Sequence, residues 1–600
     1  MFSSLRRGHC ERWEEVADLR KRLRQASIPR RVAIAALCFL LLVYILISFF
    51  SSSSTLSSAH TCIEDRLRQW KMLGENAQIS TSNAHIIFVG NGFFGVGGDG
   101  ELRIRSESSR VLSILTSFFP LITTSLSDYS SQSFASVVDF RVGLFKKIQC
   151  YALKDECSCI TTTVYAHRTR PHVLVQDVQT TNPTSEAIRV EFSKKDPKHW
   201  TAGEKVGETH SWWRFIEADG VDILMAAICS LVPRSVSIEN KREESMRFTC
   251  LFNYDVIAKE DDRNAKQQQL TQSIVKEFAD TLSIGAASLD EEHTSAWRRL
   301  NRVSFGISKS LAPDALNGDL INATRYALLS NTRAPLLEHA STEQQKKEAS
   351  TLLERRNMCY TGHSTMLVPS RLWKVSKSVR ELIDTVDVWL LTLEKRGCAS
   401  LLKAGAVGVA DAFALSLFAS KFSGEHLEVD MDPRDLHREM TIENLNFSSD
   451  TKLSIAVRLD SDNRPYFSVS ATSQMFVCDA ACLNAPLGLE STKVHVPVKV
   501  TRPATPILYL SKSRQHLEQL RGTIHVIEVL EAPAHEQELI ALHKHGHRLG
   551  GLPLAFWIML GMLVLAFHLF LFKLLYSEWK KADSTPYNYY LRCASSIIPP

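Results

Sequence analysis

The sequence has no dense excess of charge of one sign. Its 70 Lys and Arg stand against 65 Asp and Glu, leaving a net charge of +5 over 600 residues. That is too little for the basic face a nucleic-acid binder needs, so no nucleic-acid partner is expected. There is no tandem repeat of fixed period, which excludes a repeat-built solenoid or propeller. There is no long low-complexity tract and nothing collagen-like. Cys478 and Cys482 have no second pair at matching spacing, so no metal is expected, and no cofactor. The glycines Gly95, Gly97 and Gly98 are not followed by a phosphate-binding Lys, which sets aside a nucleotide cradle. The last residues carry no retention signal of the Lys-Asp-Glu-Leu type.

Charge is also missing locally, from two hydrophobic runs. Residues 32–50 contain no charged side chain and are long enough to cross a bilayer. Residues 552–575 contain one strong charge, Lys573, close enough to an end to snorkel. Arg6, Arg7, Arg12, Arg20, Lys21, Arg22, Arg24, Arg30 and Arg31 precede the first run, and no Lys or Arg follows it until Arg66. The positive-inside rule therefore makes residues 1–31 a cytosolic basic tail. A second crossing returns the chain to the cytosol, where Lys580, Lys581 and Arg592 of the tail 576–600 fit. The expectation is a protein of the endoplasmic reticulum or Golgi membrane, with its large middle region lumenal. Both termini are cytosolic if the first segment is uncleaved. The long basic stretch favours a signal-anchor at 32–50 over a cleaved signal peptide, and either translocates the same region.

Ten of the thirteen cysteines lie between the two runs, an even number that suggests disulfides in an oxidising compartment. Cys478 and Cys482 can close a small loop, and Cys150 has either Cys157 or Cys159 within reach. Asn322 (Asn-Ala-Thr) and Asn446 (Asn-Phe-Ser) are glycosylation acceptors, whereas Asn182 is followed by Pro183 and is excluded.

Between the runs the hydrophobic pattern changes twice. Residues 60–260 are rich in short β-branched segments, such as His172-Val-Leu-Val-Gln-Asp-Val178, and predict an antiparallel β-sandwich behind a short helix. Residues 261–422 turn helical, with Ile274, Phe278 and Leu282 at helical spacing. Strand signals return over 423–535, as in Lys452-Leu-Ser-Ile-Ala-Val457. The fold class expected is mixed β and α: an N-terminal β-sandwich, a shortened helical segment and a C-terminal β-domain, flanked by two transmembrane helices.

Val89-Gly-Asn-Gly-Phe-Phe-Gly95 resembles the opening strand and turn of glycoside hydrolase family 65, the trehalase-like and kojibiose-phosphorylase-like enzymes. His293-Thr-Ser-Ala-Trp297, Gly318 to Leu328, Tyr360-Thr-Gly-His363 and Ala404-Gly-Ala-Val-Gly408 resemble later pieces in that family's order. The resemblance implies a β-sandwich, a helical barrel and a small C-terminal β-domain. Arg168-Thr-Arg-Pro-His172, Asn182-Pro-Thr184, Leu393-Glu-Lys-Arg-Gly-Cys398 and Phe567 to Lys573 resemble, more closely, an animal family of membrane-anchored proteins of the KIAA series. That family implies no activity.

The enzyme resemblance stops at the catalytic barrel. About forty residues separate His363 from Ala404, room for about two helices at about 1.5 Å per residue. The aromatic-acidic strip expected after the Gly-His pair is replaced by Ser364-Thr-Met-Leu367. Glycosidic cleavage needs placed and tuned carboxyl groups. Glu381, Asp384 and Asp387 share a helical face, but the plainer reading is a solvated acidic stripe beside Lys377 and Arg380. A ligand cleft, if the shortened segment builds one, is expected around His363, Asp384 and Trp297. The plainer readings are a turn-stabilising His363 and a buried Trp297. The expected function is that of a non-catalytic lumenal protein, a glycosidase-like pseudoenzyme binding a glycan or a protein partner. A residual glycoside hydrolase or phosphorylase acting on α-glucosides is one rival. The other is a structural subunit of a membrane complex, which His568 in the second run favours.

Overall fold

The computed structural model describes residues 58–81, 87–106, 108–127, 129–153, 156–207, 209–367, 371–546 and 554–582. The basic tail, the hydrophobic run 32–50 and residues 583–600 lie outside the described residues. The fold is mixed β and α. Among the described residues one helix is of membrane length, Leu554–Ala582, and no residue of its apolar window is buried; the first expected span lies outside them. This helix continues past the apolar run ending at 575, through polar residues to Ala582.

The N-terminal strands are β1 (Ala77–Ser80), β2 (Phe88–Gly90), β3 (Phe94–Gly97), β4 (Leu102–Ile104), β5 (Ile114–Leu115), β6 (Ile122–Leu126), β7 (Ser131–Asp139) and β8 (Leu144–Leu153). They continue as β9 (Glu156–Ala166), β10 (Val173–Asn182), β11 (Ile188–Lys194), β12 (Thr201–Val206), β13 (Thr209–Ala218), β14 (Val221–Cys229), β15 (Ser235–Ile238) and β16 (Arg242–Ile257). Nine of them form one antiparallel sheet in the order β1-β7-β8-β9-β10-β16-β14-β13-β12. Two smaller sheets, β2-β3-β4-β5 and β15-β11-β6, cover one of its faces side by side. Alternation explains the packing. In β6, Ile122, Thr124 and Leu126 point inward while Thr123 and Ser125 stay exposed.

The opposite face is covered by helices α1 (Ser58–Lys71) and α2 (Arg263–Leu282). Ile63 and Leu67 of α1 pack on Val137 and Ile148, and Ile274 and Phe278 of α2 pack on Val175 and Leu251. Asp262 caps α2 by accepting from the N–H groups of Asn264 and Ala265. The helical layer continues with α3 (Ala286–Leu300), α4 (Gly318–Ser330), α5 (Glu343–Glu354), α6 (Val379–Leu393), α7 (Ala399–Lys403) and α8 (Ala406–Leu417). Among the described residues between His363 and Ala404 there is one α-helix of 15 residues and one of five, joined by the π-helical turn Glu394–Cys398. Alanine-rich α8 has nearly every residue buried and forms the centre of the layer.

The segment 167–172 fastens the sandwich to this layer. Asn91 donates to the carbonyls of His167 and Pro171 at 3.1 and 2.9 Å. Arg168, fully buried, donates to the Leu329 and Thr332 carbonyls at 3.0 and 2.7 Å and lies 5.4 Å from the Trp297 ring. Arg170 pairs with Glu292, and His172 with Glu277. His167 bonds the Leu289 carbonyl through Nε2, while its Nδ1 accepts the Arg170 N–H. His293 does the same, with Nε2 on the Gly143 carbonyl and Nδ1 accepting the Arg168 N–H. Both rings are therefore neutral, and burial holds His167 down to about 4 and His293 well below the ordinary imidazole range.

The Gly-rich turn between β2 and β3 meets the same junction. Gly92 has φ +82, its N–H donates to the Ser330 carbonyl, and a Cβ there would lie 2.1 Å from the Arg333 nitrogen. Only glycine fits both the backbone and the space.

The C-terminal β-domain has two five-stranded sheets. One begins with Ser304–Ile307, a strand inside the stretch whose pattern reads as helical, paired with Met440–Asn446. Four residues are too few for a period to show. The other sheet begins at Ser420–Ser423, and α9 (Arg514–Thr523) and α10 (Gln537–His545) pack beside the domain.

All ten cysteines between the runs are in disulfides: Cys62–Cys157, Cys150–Cys159, Cys229–Cys250, Cys359–Cys398 and Cys478–Cys482. The β8–β9 register sets Cys150 opposite Cys159, and Cys157 is joined to Cys62 on α1.

Candidate functional site

Where the two cover sheets part, the nine-stranded sheet is left open and forms the floor of a cavity of about 840 Å³. Alternation decides which residues face it. Phe145, Lys147 and Gln149 of β8 line the cavity, while Lys146 turns to the helical side, 5.2 Å from the Trp70 ring. The register extends the floor sideways, with Ser136 and Thr162 flanking Lys147, and Val164 between Phe145 and Gln176. A polar band thus crosses the interior between the two apolar clusters beneath the cover sheets.

Most of this band is satisfied by the fold. Gln176 bonds both backbone groups of Ile122, donating at 2.7 Å and accepting at 2.9 Å, like one rung of a ladder between the sheets. Gln149 donates to the Tyr151 hydroxyl at 3.1 Å. Lys147 differs. It is partly buried, and its ammonium has no hydrogen bond or ion pair among the described residues. Burial alone pushes its pKa down.

The walls add charge. Arg103 is paired with Asp99 at 2.5 Å, and Lys195 lies 5.0 Å from the Phe119 ring. Lys377, Ser378, Val379 and Arg380 bring the start of α6 to the rim. Ser378 caps that helix by accepting from the Glu381 N–H at 3.2 Å. The Glu381 carboxylate is held below its ordinary range by the Lys377 N–H it accepts and by nearby Lys374 and Lys377. The lining holds five basic side chains (Arg103, Lys147, Lys195, Lys377 and Arg380) and one acidic, Asp99.

A second cavity of about 590 Å³ lies between the β4–β5 loop and helices α5 to α8. Two of its four basic side chains are already matched, Arg110 with Glu394 at 2.8 Å and Arg333 with Glu338 at 2.5 Å. A third space of about 220 Å³ borders Asp411 of α8. Burial pushes this carboxyl up to about 6, against two 3.2 Å bonds from Asn446 and the nearby Arg356 and Arg325.

The residues singled out from sequence are not brought together. Trp297 is 1% exposed, stacked on Tyr326 at 5.3 Å and covered by Arg168, so it belongs to the core and offers no open platform. Asp384 is on the exposed face of α6. His363 is exposed and stands near Asp432, which Arg434 chiefly holds below its ordinary range, and near Asp435, which burial raises. None of the three lines either large cavity. The acceptor amides are both engaged internally, Asn322 with the Glu75 carbonyl at 3.0 Å and Asn446 with Asp411. Among the described residues no group of three or more His, Cys, Asp and Glu could hold a metal.

Sequence reasoning passed over Lys147 and Asp411. The signal for the first was the Lys146-Lys147 pair, because adjacent residues of a strand point to opposite faces and one lysine must face inward. For Asp411 it was an acid inside the apolar run 405–418.

Comparison with known proteins follows the chain almost end to end. The family model described as uncharacterized conserved protein DUF2152 matches residues 15–595. A protein of Xenopus tropicalis named as an uncharacterized KIAA2013 homolog is 32% identical, over 94% of this chain and 96% of its own. The Xenopus laevis counterpart is 31% identical, over 94% and 97%. Among solved structures, one named as a kojibiose phosphorylase from human microbiome matches with a TM-score of 0.33 and 10% identity, covering 43% of this chain and 42% of that one.

Proposed function

This chain belongs to the DUF2152 family, and from that premise we propose that it is a membrane-anchored, non-catalytic binding protein of the secretory pathway whose sandwich takes up a glycan. The observation that supports this is the seam cavity. It has the size of a small-ligand site, a polar floor, and the half-buried rings of Phe119 and Phe134 against which the C–H faces of a sugar can rest. Five disulfides favour an oxidising compartment, and the unburied apolar helix Leu554–Ala582 favours a bilayer. The reading places the disulfide-bonded region on the lumenal side.

The test is binding of the detergent-solubilised full chain to a panel of immobilised glycans. We expect retention on a subset of the panel, lost in Ser136→Phe, which fills the cavity floor. Failure to bind any glycan by a folded sample overturns the reading, as does finding the disulfide-bonded region in the cytosol.

A second reading, a residual glycoside hydrolase or phosphorylase, draws on the raised pKa of Asp411 beside its small cavity. A general acid poised near neutrality has that property. Sugar released from α-glucosides, with or without phosphate, and abolished in Asp411→Asn would replace the binding reading with this one.

A further inference from the structure

We propose that the seam cavity is an oxyanion site, taking the phosphate, sulfate or carboxylate group of a small ligand against Lys147 and the opening turn of α6. The inference rests on the cavity being a binding site and adds the charge of its ligand; where the glycan reading holds, that ligand is an acidic saccharide.

The first support is what Lys147 does not do. Its neighbours Gln149 and Gln176 use their polar atoms to join the sheets, through Thr124 and Ile122 of β6. Lys147 joins nothing among the described residues, although it stands mid-strand with Ser136 and Thr162 on either side. For the fold alone, an apolar side chain of similar length would fill this position without desolvating a charge. An ammonium facing a cavity has three donors to offer an acceptor that enters.

The second support is the balance of charge around it. Of the five basic side chains lining the cavity, Arg103 has its partner in Asp99, and Glu381 stands near Lys377. Lys147, Lys195 and Arg380 have no carboxylate partner among the described residues. Three cations without an ion pair around one concavity favour a positive potential in it. The third support is the approach of α6. Val379 and Arg380 are the first residues of this 15-residue helix, whose opening N–H groups have no intrahelical acceptor, and both line the cavity. The volume limits the ligand to a small molecule or the tip of a larger one.

The test uses the full chain in detergent and isothermal titration with glucose 6-phosphate, glucose 6-sulfate, glucuronate, glucose and inorganic phosphate. The expected result is binding of the charged sugars, with glucose at least about tenfold weaker. Lys147→Met, which keeps the stem and removes the charge, weakens the charged probes by about tenfold or more, and raising the salt weakens them too. If Lys147→Met does not fold, Arg380→Gln at the exposed rim must give a smaller loss in the same direction, with Lys147→Arg retaining binding. Equal binding of glucose and glucose 6-phosphate, unchanged in Lys147→Met, overturns the inference and leaves the glycan reading intact. Lys147-dependent binding of inorganic phosphate with no gain from the sugar upholds the anion site and removes the glycan. Binding of no probe overturns both.

Discussion

Acid should loosen the junction between the sandwich and the helical layer, and His167 gives the effect a size. Its Nδ1 accepts the Arg170 N–H and its Nε2 donates to the Leu289 carbonyl. A second proton on Nδ1 would face that N–H and destroy the bond. Burial is the main cause that takes the ring from 6.5 to about 4. A histidine whose folded pKa is depressed supports the fold above its unfolded value, and that support is lost as pH falls from 6.5 toward the folded pKa. At about pH 4.5 the linkage amounts to about 2–3 kcal/mol for this one residue. The control is His167→Gln, whose amide can donate and accept at the same two places without titrating. Urea unfolding of the full chain in detergent, followed at about pH 7.5 and about pH 4.5, should show wild type losing about 2–3 kcal/mol more than the variant. Stability curves that stay parallel across that range would refute the reasoning. His293, lowered in the same direction by burial, should add a second increment, removed by His293→Gln.

Three further outcomes are expected. Beside α10, His437 stacks on His543 at 4.9 Å and meets His535 at 6.0 Å, and burial lowers all three below the ordinary imidazole value. Their contact is uncharged above about pH 6.5 and gathers positive charge below it, so hydrogen exchange across α10 should accelerate on acidification, and not in His437→Phe. Removing the Cys359–Cys398 bridge with paired alanines frees a loop closed across 39 residues. Its denaturant midpoint should fall by the equivalent of about 2–4 kcal/mol. Gly92→Ala should cost more than about 2 kcal/mol, since strain and a backbone clash coincide there. Gly220→Ala, at φ +76 with nothing within 4 Å, should cost about 1 kcal/mol by the same measurement.

The coarse order of strands, helices and strands was legible because alternation and helical periodicity are local. Ile122-Thr-Thr-Ser-Leu126 declares its inward face in five residues. The partner of Cys150 was not legible. Cys157 and Cys159 are both near enough in sequence, and only the β8–β9 register, with α1 bringing Cys62 to Cys157, assigns them. The same limit hid the seam cavity. Both faces of β8 are covered, so hydrophobicity does not say which of Lys146 and Lys147 looks inward. The junction at 167–172 joins residues more than a hundred positions apart, such as Arg168 and Thr332. Its composition reads as an ordinary polar loop until the partners are in place. Trp297 was open to two readings for a like reason, since a tryptophan that binds sugar and one that fills a core have the same sequence signature.

The early strand Ser304–Ile307 sets a schedule for synthesis. Its partner Met440–Asn446 lies far downstream, Ser304 and Glu443 being 139 residues apart. At about 5–20 residues per second, the first strand emerges roughly 7–28 s before the second. During that interval it presents an unpaired edge to its surroundings. The sandwich can close at once behind it, but the C-terminal domain cannot begin until the whole helical layer has been made. A nascent chain stalled between these two points should be the form most dependent on chaperones and most prone to aggregate.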